Sequence, residues 1–261
     1  MRAGRVQAVR VVARQELRDL WLAGRGLPLM LAYALMLSVT SYLVASNRAL
    51  NFLEQREAVS LTLQLAVAIS ALLVLLASAD ALSGERERGT LESLLLTPAP
   101  RSALVAGKAV AAMSLWLAAY LVSVPYLWYL GRGTQVTARA LGSGFVVGFL
   151  VALFLGGLGL TLSAVARTNR MALSVSLFIL LAVFFPTQLP TNAQQGWFGD
   201  LLYRLDPITA GLHYLSELIV KGHGFGADAG WLLFPVALAA VTTVSALAFG
   251  ARLKLLTGAR P

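Results

Sequence analysis

The sequence predicts an all-α membrane protein with six transmembrane helices in a single domain over residues 1–261. Two observations carry this. The chain is 58% hydrophobic and only 13% charged, which excludes an ordinary soluble domain of this length. Six stretches carry no Asp, Glu, Lys or Arg at all: 26–47, 58–79, 109–131, 140–166, 171–199 and 229–251. Each reaches the roughly 20 residues that a helix needs to cross a bilayer. Backbone groups in lipid must be satisfied within the segment, and no alternating strand pattern is present, so the spans are helical.

Before the first span, residues 5–21 read as an amphipathic helix. Val6, Val9, Ala13, Leu17 and Leu20 recur at three- and four-residue steps, with Gln7, Arg14, Gln15 and Arg18 on the other side. Such a helix is expected to lie along the membrane surface, apolar face in the headgroups and arginines toward anionic lipid. Pro28 marks entry to the first span.

The second span ends near Asp80, and the segment 83–101 that follows is the most polar part of the chain. Glu85, Arg86, Glu87, Arg88 and Glu92 place five charges in eight positions, which cannot lie in hydrocarbon. Beside them Leu91, Leu94, Leu95 and Pro98 form an apolar stripe compatible with a helix that another protein touches. Pro98 and Pro100 close the segment.

The third span carries Pro125 near its outer end, and Trp116, Tyr120, Tyr126, Trp128 and Tyr129 read as an interfacial aromatic belt. The fourth is rich in glycine. Its Gly144–Gly148 pair has the small-xxx-small spacing that lets helix backbones approach, favouring packing within the chain over self-association. Arg167 to Arg170 form a short turn before the fifth span, which stops near Pro186 or Pro190.

Residues 187–228 form the longest outer segment. Phe198, Leu201, Leu202 and Leu205 make one apolar stripe; Ile208, Leu212, Leu215 and Ile219 make another; Asp206-Pro207 breaks between them. Two helices too short to cross suggest a re-entrant hairpin in the outer leaflet. No internal repeat precedes the sixth span.

The net charge of +9 is explained by orientation rather than nucleic acid, because no basic-aromatic patch accompanies it. With six spans, fifteen basic residues fall on the side of the termini and six on the other. Both termini are therefore expected in the cytoplasm. The chain has no cysteine, which excludes disulfides and thiolate chemistry. His213 and Glu217 share a helix face, but two ligands do not make a metal site, and none is expected. Gly142-Ser143-Gly144 is no nucleophile elbow.

The run Glu85-Arg86-Glu87-Arg88-Gly89-Thr90-Leu91-Glu92, continued by Leu95, Pro98, Arg101 and Gly107-Lys108, resembles the signature of type-2 ABC exporter permeases. The entry helix, six spans and paired outer helices match that family's layout over nearly the whole chain. The resemblance implies an export permease of a prokaryotic cytoplasmic membrane, with two permease copies (a homodimer or a paralogue pair) and two cytoplasmic ATPase subunits. It implies that 83–101 holds the coupling helix. Glu85, Arg86, Glu87, Arg88, Gly89, Thr90 and Glu92 would then transmit nucleotide-driven closure, while Leu91, Leu94 and Leu95 pack the docking face. The entry helix would abut the same cluster, so that Arg14 or Arg18 pairs with Glu85 or Glu87.

No Gly-x-x-x-x-Gly-Lys-Ser/Thr phosphate loop occurs, so ATP and Mg are expected on the partner ATPase and no cofactor on this chain. This departs from white-type relatives, which carry the ATPase in the same chain. If the second and fifth spans line the path, as in the family, Gln64, Ile69, Leu72, Phe178, Phe184 and Phe185 are its candidate wall. Such a wall suits a lipid-like, peptidic or hydrophobic drug substrate. The rival classes are an ion-coupled secondary transporter and a structural or assembly subunit. The first is disfavoured by the absence of charge within the spans; the second is opposed by the coupling signature.

Overall fold

The computed structural model describes residues 2–22, 26–46, 52–97, 99–133, 136–185, 204–226 and 228–251. Among these every regular element is helical: α1 (Arg2–Trp21), α2 (Gly26–Ser46), α3 (Phe52–Glu87), α4 (Leu91–Leu95), α5 (Arg101–Leu130), α6 (Thr137–Val165), α7 (Asn169–Phe184), α8 (Pro207–Ile219), a 3₁₀ turn (Ala229–Leu232) and α9 (Leu233–Ala251). Five helices, or four of them and α9 together with its leading 3₁₀ turn, are long and apolar enough to cross a membrane: α2, α3, α5, α6 and α9. The expected fifth span is represented by α7, which has 16 described residues. At 1.5 Å per residue that covers about 24 Å, short of a hydrocarbon core of roughly 30 Å. Residues 186–203, where it was expected to finish, lie outside the described residues, as do Phe198, Leu201 and Leu202 of the first outer stripe.

The bundle is organised around α3 and α6, which pack on each other more extensively than any other pair. Glycine on α6 makes this possible. A methyl at Gly159 would stand 2.8 Å from the Leu75 carbonyl oxygen on α3, and one at Gly157 2.8 Å from the Thr242 backbone on α9. Gly144 and Gly148 face Leu63, Val67 and Trp116, so the small-residue spacing serves contacts inside the chain. Around this axis Leu63, Leu75, Val147, Leu155, Ile208, Leu215 and Ile219 form the main core. Met30, Tyr33, Leu37, Leu73 and Leu115 join α2, α3 and α5.

Two expectations about apolar faces change. Trp116 is buried and sits with Tyr120, Phe145 and Phe149 in a ring cluster with centroids 5.1–6.4 Å apart. Tyr120 donates to the Leu141 carbonyl. These two residues hold α5 to α6 and are not a surface belt; Trp128 and Tyr129, nearer the helix end, are exposed. The entry helix α1 packs along α5. Ala13 is buried close to Gly107, and Trp21 Nε1 donates to Ser114 Oγ at 3.0 Å, whereas Val6 and Val11 are exposed. Close approach to another helix selects a small residue such as Ala13 rather than the bulkiest stripe.

The stripe Ile208, Leu212, Leu215 and Ile219 forms a helix as predicted, α8. Asp206 caps α8 by accepting from the Ile208 and Thr209 amides at 3.3 and 2.9 Å, with Pro207 in the first turn. Ile208, Leu215 and Ile219 are fully buried against the bundle.

Candidate functional site

The charged motif lies at one end of the bundle, hereafter the motif end, and is divided between two helices. α3 runs on past Asp80 to Glu87, so Glu85, Arg86 and Glu87 belong to its last turns and not to the short helix after it. Hydrogen bonds from Gly89 N to Arg86 O (3.2 Å) and from Thr90 N to Glu85 O (3.0 Å) close a Schellman turn. Gly89 takes the left-handed conformation this turn requires, with φ 71°. The Gly-Thr pair of the motif is thus a helix stop that redirects the chain into α4.

Residues two apart on a helix do not share a face, and Glu85 and Glu87 point to different neighbours. Lys108, on α5, donates to Glu85 Oε1 at 2.6 Å and to Glu16 Oε1 on α1 at 2.7 Å. Only 2% of the Lys108 side chain is exposed. One ammonium therefore ties α1, α3 and α5 together. The expected partners Arg14 and Arg18 are exposed; the ion pair to Glu85 is made by Lys108 instead, because α1 presents Glu16 beside Ala13 on its packed face.

The other face of the α3 extension grips the turn between α6 and α7. Asp80, Ser83 and Glu87 stand at i, i+3 and i+7 and all meet Asn169. Its side-chain amide donates to Asp80 Oδ1 at 2.8 Å, its side-chain oxygen accepts from Ser83 Oγ at 3.0 Å, and its backbone N–H donates to Glu87 Oε2 at 3.2 Å. Arg86 donates to the carbonyls of Ala164 and Ala166, which otherwise lack partners at a helix end. Ser163 Oγ accepts from the Leu82 and Ser83 amides, each at 2.9 Å. Arg88 lies 3.8 Å from Asp80 and is largely exposed, a weak contact.

α4 rests on this platform. Leu91 is buried with Leu82, Val105, Leu160 and Ala246, and Leu95 packs at the edge of that cluster. Leu91 and Leu95 thereby seat α4 on its own bundle. The surface that α4 turns outward is Thr90, Glu92, Ser93 and Leu96, with Leu94 half-buried. Pro98 lies outside the described residues. Between α1, α2, α3 and α5 a cavity of about 460 Å³ opens behind the site, lined by Glu16, Asp19, Asp80, Glu85, Arg88 and Lys108 over an apolar floor.

The candidate path residues make separate contacts within the described chain. Gln64 donates to Ser60 on its own helix at 3.0 Å. Ile69 packs toward α2 and α5, while Leu72 and Phe184 pack on the main core. Phe178 and Phe185 are 73% and 61% exposed.

Lys108, Glu16, Asp80, Ser163 and Asn169 were not among the sequence candidates. Lys108 had a signal, standing in the Gly107-Lys108 pair that opens α5. Asn169 sits in a turn whose arginines drew attention for their charge.

The described residues form a bundle with five helices long and apolar enough to cross a membrane, and its charged end joins one of them to a short surface helix. Residues 10–253 match the family model of the ABC-2 family transporter proteins, and the chain belongs to that family. It is a permease subunit of an ABC transporter, a class that associates with an ABC ATPase. No curated protein matches the chain significantly.

Proposed function

We propose that this chain is the export permease of an ATP-driven transporter. Two copies, identical or paralogous, are powered by two separate cytoplasmic ATPases that carry ATP and Mg. The motif end faces the cytoplasm, with both termini, and α7 completes a sixth crossing. α4 is the coupling helix, docking on the ATPase through Thr90, Glu92, Ser93, Leu94 and Leu96. The cargo is lipid-like, peptidic or a hydrophobic drug, as the apolar faces of α3 and α7 favour.

The observation that carries this reading is the Glu16–Lys108–Glu85 bridge directly behind α4. A pull on α4 passes through a tight Schellman turn into α3. From there the buried ammonium shares it with α1 and α5, and Asn169 and Arg86 share it with α6 and α7. A docked partner thus moves several helices as one body. On α3 and α5 the charges Asp80, Glu85 and Lys108 sit toward the helix ends, outside the charge-free runs 58–79 and 109–131, which supports an external energy source over ion coupling.

The test is reconstitution with the cognate ATPase. Glu92→Arg, at an exposed position, is expected to leave the permease folded while weakening complex formation and substrate-stimulated ATP hydrolysis. Retention of full stimulated hydrolysis by Glu92→Arg would remove α4 from the coupling path. Gradient-driven transport by the permease alone, without ATP, would replace this reading with a secondary carrier.

A further inference from the structure

At the end of the bundle opposite the motif, both histidines of the chain converge on one carboxylate. The chain has two histidines and no cysteine. His213 Nε2 lies 3.6 Å from Glu217 Oε1, and His223 Nδ1 lies 3.7 Å from Glu217 Oε2 and 2.8 Å from Asp228 Oδ2. Ligand atoms of Glu217, His223 and Asp228 all fall within 4.8 Å of one another. A tetrahedral Zn²⁺ with bonds of about 2.0–2.1 Å holds its ligand atoms about 3.3 Å apart. The three measured separations bracket that edge; Glu217, His223 and Asp228 supply three ligand atoms, and His213, beside the other oxygen of Glu217, swings in to complete the set.

The backbone is shaped to deliver these groups. His213 and Glu217 are one turn apart on α8. The chain then leaves the helix, turns at Gly222 with φ 74°, and returns so that the His223 amide donates to the Glu217 carbonyl at 3.4 Å. Tyr214 OH donates to the Phe225 carbonyl at 2.9 Å, pinning the connector further along. Asp228 stands at the entry to the 3₁₀ turn before α9. The His213 ring is 4.3 Å from Trp231, which limits its motion.

The cations nearby also matter. Lys221 Nζ donates to Glu217 Oε1 at 2.6 Å with 61% of its side chain exposed, so it can swing into solvent. Arg204 stacks over Trp231 at 5.0 Å, and Arg139 donates to the Gly222 carbonyl.

We propose that His213, Glu217, His223 and Asp228 form a Zn²⁺ site that clips the α8–α9 connector onto α8. Two carboxylates neutralise the divalent charge and two imidazoles supply the nitrogen ligands favoured by Zn²⁺ over Mg²⁺ or Ca²⁺. Lys221 holds the carboxylate in the metal-free protein and is displaced when the ion enters. The site lies outside the transport machinery described above and does not depend on it.

The full-length chain, purified in detergent with its affinity tag removed, is titrated with Co²⁺ as a spectroscopic probe and then with Zn²⁺. One Co²⁺ per chain is expected, with the intense visible absorption of a tetrahedral centre, bleached by Zn²⁺. His223→Ala, at a half-exposed connector position, should abolish that absorption while circular dichroism stays unchanged. His213→Gln should weaken binding at least tenfold. Lys221→Met should tighten it several-fold by removing the competing ammonium. Absence of the tetrahedral spectrum in the wild-type chain, or its persistence in His223→Ala, would overturn the site and leave the cluster as hydrogen bonds and ion pairs alone.

Discussion

Lys108 Nζ is 2.6 Å from Glu85 Oε1, and the ammonium is almost completely enclosed. Its other contact, Glu16 at 2.7 Å, completes an acid–base–acid bridge across three helices. Such a bridge is not strongly stabilising relative to an apolar contact, since each ion loses its hydration. Its consequence is conditional: the three charges must be present together.

Removing the cation tests this first. Lys108→Met should cost about 3 kcal/mol, at the low end for a buried pair, because two half-buried carboxylates then lose their shared cation. Lys108→Met combined with Glu85→Leu should recover part of that loss, and Glu16→Gln alone should cost less, since Glu16 is the more exposed acid. Thermal unfolding followed by circular dichroism in detergent would rank the variants. An unchanged midpoint in Lys108→Met would show that the bridge carries no structural burden.

Gly89 offers a second test. Its φ of 71° lies where a side chain clashes with the following carbonyl, at a cost of about 1–2 kcal/mol. No atom would crowd a Cβ there, so the cost of Gly89→Ala is conformational, and Gly89→Asn should be milder. If α4 couples as proposed, Gly89→Ala also lowers ATPase-stimulated transport more than it lowers stability. Equal transport by both variants and wild type would show that the turn tolerates a changed path.

The α3–α6 seam supplies a third. Gly159→Leu has to displace the backbone around Leu75 and should destabilise the bundle by about 1–3 kcal/mol or more. Gly142→Leu, on the same helix, meets nothing nearer than Phe225 at 3.9 Å and should be near neutral. The comparison is made by detergent unfolding, and similar losses in both would contradict the close backbone contact.

Orientation is tested by cysteine labelling, which a cysteine-free chain permits without background. Ser93→Cys on exposed α4 should be protected from an impermeant thiol reagent outside intact cells, and Thr134→Cys should be labelled. The reverse pattern would place α4 away from any cytoplasmic ATPase.

By itself the sequence determined the class and the main elements. Long charge-free runs have one stable solution in lipid, the helix, and their ends are marked by charge and proline. The motif Glu85–Glu92 was legible as a break between two spans for the same reason. So was α8, whose Asp206-Pro207 start and Ile208, Leu215 and Ile219 stripe are local signals. The glycines of α6 announced close packing, because a missing side chain is visible without knowing the neighbour.

Only the tertiary structure decided what each charged residue meets. A run of five charges reads as one exposed cluster, but a helix rotates successive residues by about 100°. That rotation sends Glu85 to Lys108 and Glu87 to Asn169, while the turn at Gly89 redirects the chain so that Leu91 of α4 packs inward on Leu82 and Val105. Lys108 and Glu16 are 92 positions apart, and nothing local to either predicts the other. The same holds for His223, Glu217 and Asp228, which a glycine turn brings together after the helix has ended. Pairing across the fold depends on the path of the backbone between the partners, and that path is set by packing of the whole bundle.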